Sequence, residues 1–192
     1  MIFFVDDLGY GVRALPPLTL PAHLTMLTGQ LPVTHQVTDD HLALDPSVRV
    51  LPEAMVEAGY ATGASVATLY VSRKFGFERG FDFFDDHGID NEKKNLRGEV
   101  VATDIIGEAV EWIESLEEGK PFYVQLSHFA THLSLVSQKE TYEYFRDKQA
   151  GERHTNPEFA AMLKDLDTGI GMILDFVKEQ GIEDNTYIFL MG

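Results

Sequence analysis

Four short runs rich in strand-forming apolar residues, Ile2–Val5, Tyr60–Ala67, Pro121–Ser127 and Thr186–Met191, are separated by segments whose apolar residues recur at helical spacing. This alternation constrains the fold more than any other feature of the chain. Neighbouring antiparallel strands need only a tight turn, whereas a strand followed by a helix and another strand favours parallel pairing with the helix laid over the sheet. Five segments read as helices. Thr19–Gly29 has Thr19 or Leu20 at its cap, Pro21 in its first turn and Gly29 as its stop, and Leu51–Ala58 ends at Gly59. Val100, Val101, Ile105, Ala109, Ile113 and Leu116 mark a long amphipathic helix before Gly119, and a charged segment follows from about Lys139 to Gln149. The clearest stripe runs from Phe159 to Val177 and stops at Gly181. Leu31–Val48 has no period and reads as loop, and Ser72–Asn95 reads as an ordered, aromatic-rich surface segment. The expected fold is α/β: a three-layer α/β/α arrangement with a mainly parallel central sheet, in one domain over residues 1–192.

Composition narrows the function. The 192 residues include no cysteine, which excludes a disulfide scaffold, a zinc-thiolate site, an iron–sulfur cluster and a cysteine nucleophile. With 15 Lys and Arg against 31 Asp and Glu, the formal net charge is −16, so no nucleic-acid partner is expected, because phosphate contacts need clustered cations. An anionic substrate would need a bound cation to offset that field. No apolar run approaches the ~20 residues of a membrane span, and the first residues lack the basic start of a signal peptide. The chain as written is expected to be cytoplasmic.

In a parallel α/β fold, ligands bind at the carboxyl ends of the strands. Asp6 and Asp7 follow the first strand directly, and His128 and His132 follow the third. Paired carboxylates at a strand end suit a hard dication such as Ca²⁺ or Mg²⁺, although by spacing alone an Asp-Asp-x-Gly is more commonly a turn in which one Asp caps the backbone. Thr19 stands where a helix begins and where backbone N–H groups would face an anion, with His23 one turn on. It is either a hydroxyl nucleophile needing activation or a plain helix cap. His128 and His132 are expected in a post-strand loop, solvated or donating to an anionic oxygen. His35, His41, His87 and His154 carry no motif.

These residues bring the chain close to a known family. Asp6-Asp7-Leu8-Gly9-Tyr10-Gly11 resembles the opening strand motif of the sulfatases, members of the alkaline-phosphatase-like superfamily. Thr19-Leu20-Pro21-Ala22-His23, followed by Leu27-Thr28-Gly29, resembles their nucleophile motif, Cys/Ser-x-Pro-Ser/Ala-Arg with a trailing Leu-Thr-Gly. Leu51-Pro52-Glu53-Ala54 through Gly59-Tyr60-Ala61-Thr62, Gly80-Phe81-Asp82, Lys120-Pro121-Phe122-Tyr123 through Ala130-Thr131-His132, and Gly181 through Thr186 are similar to family segments in the same order.

The resemblance implies the N-terminal part of a catalytic domain that hydrolyses sulfate or phosphate esters of small-molecule or glycan anions. It implies Asp6 and Asp7 as ligands of Ca²⁺ or Mg²⁺, Thr19 at the nucleophile position, His23 and His132 on the ester oxygens, and His128 as a substrate contact. It also shows departures. Sulfatases convert Cys or Ser to formylglycine, and Thr19 is not a recognised substrate for that conversion, so formylglycine is not expected. Thr serves directly as nucleophile in related phosphodiesterases. Ala67 and Leu69 stand where the family has Lys and His, an early helix is missing, and no Asp-Asn/His-Gly segment supplies further metal ligands. The alternative expectation is therefore a truncated or catalytically silent sulfatase-like domain.

Overall fold

The computed structural model of the chain describes residues 2–5, 18–39, 42–86, 89, 101–153 and 155–191, with backbone alone for 2–5. Its elements are β1 (Ile2–Val5), α1 (Thr19–Thr28), α2 (Pro32–His35), α3 (Leu51–Glu57), β2 (Ala61–Val66), β3 (Phe83–Asp85), α4 (Ala102–Glu114), β4 (Phe122–His128), α5 (Lys139–Asp147), α6 (Pro157–Glu179) and β5 (Phe189–Met191). The five strands form one sheet in the order β3-β2-β4-β1-β5, and every pairing is parallel.

Side chains of a strand alternate between faces, and β4 divides the protein accordingly. Val124 and Leu126 face α4 and α6, joining Ile105, Ile106, Leu166 and Ile173 in one apolar layer. Tyr123 points the other way and stacks on Phe81 at 6.0 Å. On that second face Ala64, Val66 and Phe84 pack with Leu20, Leu24 and Leu27 of α1. Two layers of helix over a buried sheet are what the alternating sequence requires, since each amphipathic stripe must be covered.

Local chemistry sets the helix ends. At the end of α1, Gly29 adopts φ 66° and its N–H bonds the Thr25 carbonyl at 2.9 Å, a left-handed cap that suits glycine. At the start of α6 the Asn156 side chain accepts from the N–H groups of Glu158 and Phe159, with Pro157 in the first helical position. The close approach of α6 to α4 falls at Gly169, where a Cβ would lie 3.2 Å from Ile106 and 3.3 Å from the Ala102 carbonyl.

Several expectations change. The segment read as unbroken loop contains the single-turn helix α2, closed by Gln36 at φ 63°. The aromatic surface segment contains β3, which extends the sheet beyond β2, and the 3₁₀ turn Arg73–Phe75, with a second 3₁₀ turn, Leu69–Val71, just before it. Thr19 is not a cap: Leu18 holds the extended cap conformation and Thr19 is the first helical residue. His128 is not in a loop but is the last residue of β4.

Candidate functional site

The sheet register brings two of the proposed segments side by side. β1 lies between β4 and β5, and Val5 pairs with His128 at their shared carboxyl end. Asp6 is thus the residue that follows a strand whose neighbour ends in His128. The connection leaving β1 carries α1 and α3 over one face, while the one leaving β4 carries α6 over the other. Adjacent strands with connections diverging to opposite faces mark the place where folds of this class open a crevice. Asp6 and Asp7 themselves lie outside the described residues, as do His41, His87 and His154.

Thr19 and His23 are joined by the first turn of α1. The His23 ring nitrogen Nδ1 donates to the Thr19 carbonyl at 2.9 Å. A carbonyl can only accept, so this bond places the imidazole proton on Nδ1 and the lone pair on Nε2. The ring is 2% exposed and meets Phe77 edge-on at 6.2 Å. Burial pushes its pKa down to about 4, with the Thr19 carbonyl opposing the shift. His23 is therefore neutral near pH 7, a potential proton acceptor rather than a fixed cation.

His128 is likewise 2% exposed, and burial lowers its pKa to about 4. His132 is half-buried, one turn past the strand. Its N–H bonds the Phe129 carbonyl at 2.9 Å, its Nδ1 donates to the Leu133 carbonyl, and its ring lies 5.1 Å from that of Phe129. The structure thus ties Thr19 to His23 through the α1 backbone and delivers His128 and His132 from the end of β4.

His35, which spacing alone could not single out, is 3% exposed. Its Nδ1 accepts from the Val37 N–H at 3.2 Å, so Nε2 carries the proton and donates to Thr25 Oγ1 at 3.2 Å. It ties α2 to α1 behind the nucleophile-like segment. A second fixture is the Asp86 carboxylate at the end of β3, which accepts from the Arg73 backbone N–H at 3.0 Å and the Arg73 Nε at 3.1 Å.

Among the described residues no group of three or more His, Asp or Glu side chains is arranged to hold a metal ion. The dication expectation therefore rests on Asp6 and Asp7. Two open grooves of about 460 and 540 Å³ run along α5 and α6, lined in part by Tyr144, Phe145, Leu163 and Leu190. Thr19, His23, His128 and His132 line neither. Among the described residues no helix is long and apolar enough to cross a membrane.

Comparison with protein families settles the lineage, because the family profile described as Sulfatase matches residues 16–192. The chain belongs to the sulfatase family. Solved structures agree on the fold. The structure of Ps i-CgsB in complex with k-i-k-neocarrahexaose superposes with a TM-score of 0.71 at 18% identity, covering 98% of this chain and 57% of that one. The phosphonate monoester hydrolase of Agrobacterium radiobacter gives 0.67 at 13% identity, covering 98% and 61%. BT4656 in complex with its substrate D-glucosamine-2-N,6-O-disulfate gives 0.64 at 17% identity, covering 98% and 57%. This sulfatase-family chain thus spans about three fifths of the length of the structures it matches. None of the curated proteins compared matches the sequence.

Proposed function

We propose that this chain carries the ester-cleaving end of a sulfatase-family hydrolase acting on sulfate, or phosphate, esters of a small-molecule or glycan anion. The observation that carries the reading is the Val5–His128 pairing, which sets the strand leading into Asp6 and Asp7 directly beside the strand delivering His128 and His132. Thr19, at the first helical position of α1, would supply the attacking hydroxyl, and the positive end of that helix's dipole favours developing negative charge. His23, held neutral by burial with its lone pair on Nε2, suits proton acceptance one turn along from Thr19, and His132 would contact the ester oxygens. Asp6 and Asp7 are the residues that would hold Ca²⁺ or Mg²⁺, which when bound would offset the negative field around an anionic ester.

A second reading, a sulfatase-like domain without turnover, has an observation of its own. Ala67 and Leu69, at the positions matched to the family's Lys and His, are 1% and 8% exposed and sit in the apolar cores. No cationic side chain serves the substrate from there.

The test is hydrolysis of aryl sulfates and aryl phosphates by the parent chain and by Thr19→Ala, in millimolar Ca²⁺ or Mg²⁺. The hydrolase reading expects turnover in the parent and its loss in the variant at an unchanged unfolding midpoint. Equal activity in both would sink the nucleophile assignment. No turnover with any ester in either would leave the silent reading standing.

A further inference from the structure

The imidazole of His132 is held on two sides, and its backbone on a third. The His132 backbone N–H closes a turn onto the Phe129 carbonyl at 2.9 Å, the Phe129 ring lies against the imidazole at 5.1 Å with a tilt of 45°, and the ring Nδ1 meets the Leu133 carbonyl. The partners differ in how firmly they are anchored. Leu133 is 75% exposed, whereas Phe129 is 6% exposed and belongs to the apolar layer formed with α4 and α6. The ring that touches His132 is therefore fixed by the core and not by the loop.

This matters because a histidine ring has broad freedom about its second side-chain torsion, so its orientation must be imposed from outside. A neutral imidazole has one N–H and one lone pair, and which nitrogen carries which is set by the partner of either one. The Leu133 carbonyl can only accept, so Nδ1 is the protonated nitrogen and Nε2 holds the lone pair.

We propose that Phe129 is the positioning residue for His132, and that with the Leu133 carbonyl it locks the imidazole as the Nδ1–H tautomer with Nε2 as the working nitrogen. That Nε2 works on an ester oxygen rests on the hydrolase reading above; the locked tautomer does not. Nε2 can accept a proton and, once protonated, return it to an oxygen, while Nδ1 stays engaged with the carbonyl and the ring does not turn. Of the four histidines whose side chains are described, His23 and His35 are clamped by the same kind of bond, but each within the body of the protein. His132 is clamped while half-buried at the carboxyl end of the sheet, where a clamp has use beyond stability.

The test is nitrogen-15 NMR of histidine-labelled full chain at pH 8, with His132→Gln identifying the resonances of this one among seven histidines. The expected parent spectrum has Nδ1 protonated and Nε2 unprotonated at His132. In Phe129→Leu, with folding verified by circular dichroism, both nitrogens move toward a tautomer average. An Nε2–H tautomer in the parent overturns the proposal, as does an identical pattern in parent and folded variant. If Phe129→Leu fails to fold, Phe129→Met carries the same comparison, and the parent's tautomer is decisive by itself against the clamp. Where the parent hydrolyses an aryl sulfate, Phe129→Leu is expected to lower kcat roughly 10–100-fold with KM changed less than about twofold, as for a misplaced group. A parent without ester hydrolysis overturns the hydrolase reading and leaves the tautomer measurement intact, so the two failures are told apart.

Discussion

Asp165, in the middle of α6, reaches the start of α5: its carboxylate accepts from the Gln138 backbone N–H at 2.6 Å and from Thr141 Oγ1 at 2.7 Å. A helix begins with N–H groups that have no partner of their own, and here a neighbouring helix supplies one. Asp165 is 4% exposed, so its oxygens are satisfied by these bonds rather than by water. Removing it leaves the Gln138 N–H without its acceptor. Asp165→Ala is expected to cost about 2–3 kcal/mol and to lower the melting temperature by roughly 5–10 °C. Urea titration reads the cost, and loss of amide-exchange protection confined to α5 identifies its origin.

Gly63 in β2 lies under the indole of Trp112 on α4, where a Cβ would come within 2.5 Å of the ring. Trp112 in turn stacks on Phe83 at 5.6 Å, so the indole is held from two sides. Gly63→Ala is expected to destabilise by about 1–3 kcal/mol through overpacking. Adding Trp112→Leu should recover part of that loss, giving a non-additive pair in a double-mutant cycle.

His23 and His128 make stability depend on pH. Both are neutral in the fold, with pKa values pushed down to about 4 by burial from the ordinary 6.5. Below pH 6.5 the unfolded chain binds protons that the folded chain does not, so the unfolded state gains and stability falls with falling pH. Their contribution is intact above about pH 6.5 and is lost progressively as the pH drops from 6.5 through 4. The loss is on the order of 3 kcal/mol for each histidine. Denaturant unfolding at pH 7.5, 6 and 5 measures the slope, and His23→Gln should flatten it. An unchanged slope in that variant would place the titration elsewhere.

If Asp6 and Asp7 hold a dication, metal must stabilise the fold. A ligand at 100 times its dissociation constant adds ~2.7 kcal/mol, a rise of roughly 5–10 °C in melting temperature for a chain of this size. Millimolar Ca²⁺ or Mg²⁺ is expected to shift the parent and not Asp6→Ala/Asp7→Ala. A parent without a shift would argue for the domain without turnover.

The fold was legible because its long helices and core strands carry strong periodic signals. Phe159 to Val177 announced α6, and Pro121–Ser127 announced β4 to within one residue. β3 was not, because Phe83–Asp85 is three residues long and sits in a run of aromatic and acidic residues without alternation; its pairing with Gly63–Ser65 makes it a strand. The one-turn helix α2 is too short for any period to show. At the site, Thr19 and His23 were visible because Pro21 and Gly29 bracket their helix, whereas the burial of His128 depends on strand register, which local sequence does not encode. His35 and Asp165 carry no local signal for a related reason. Their partners, Thr25 and Gln138, lie ten and 27 residues away in sequence, and only packing brings them together.

The strand order also governs how the protein is made. β1 is made before both of its neighbours, Ile2 pairing with Gln125 on one side and Phe189 on the other. At ribosomal rates of roughly 5–20 residues per second, β1 waits several seconds or more for its first partner and longer for its second. Contacts this distant along the chain also make for slow folding. The nascent chain therefore carries β1 unpaired while the intervening segments are made, and chaperone occupancy of β1 should end only as β4 emerges.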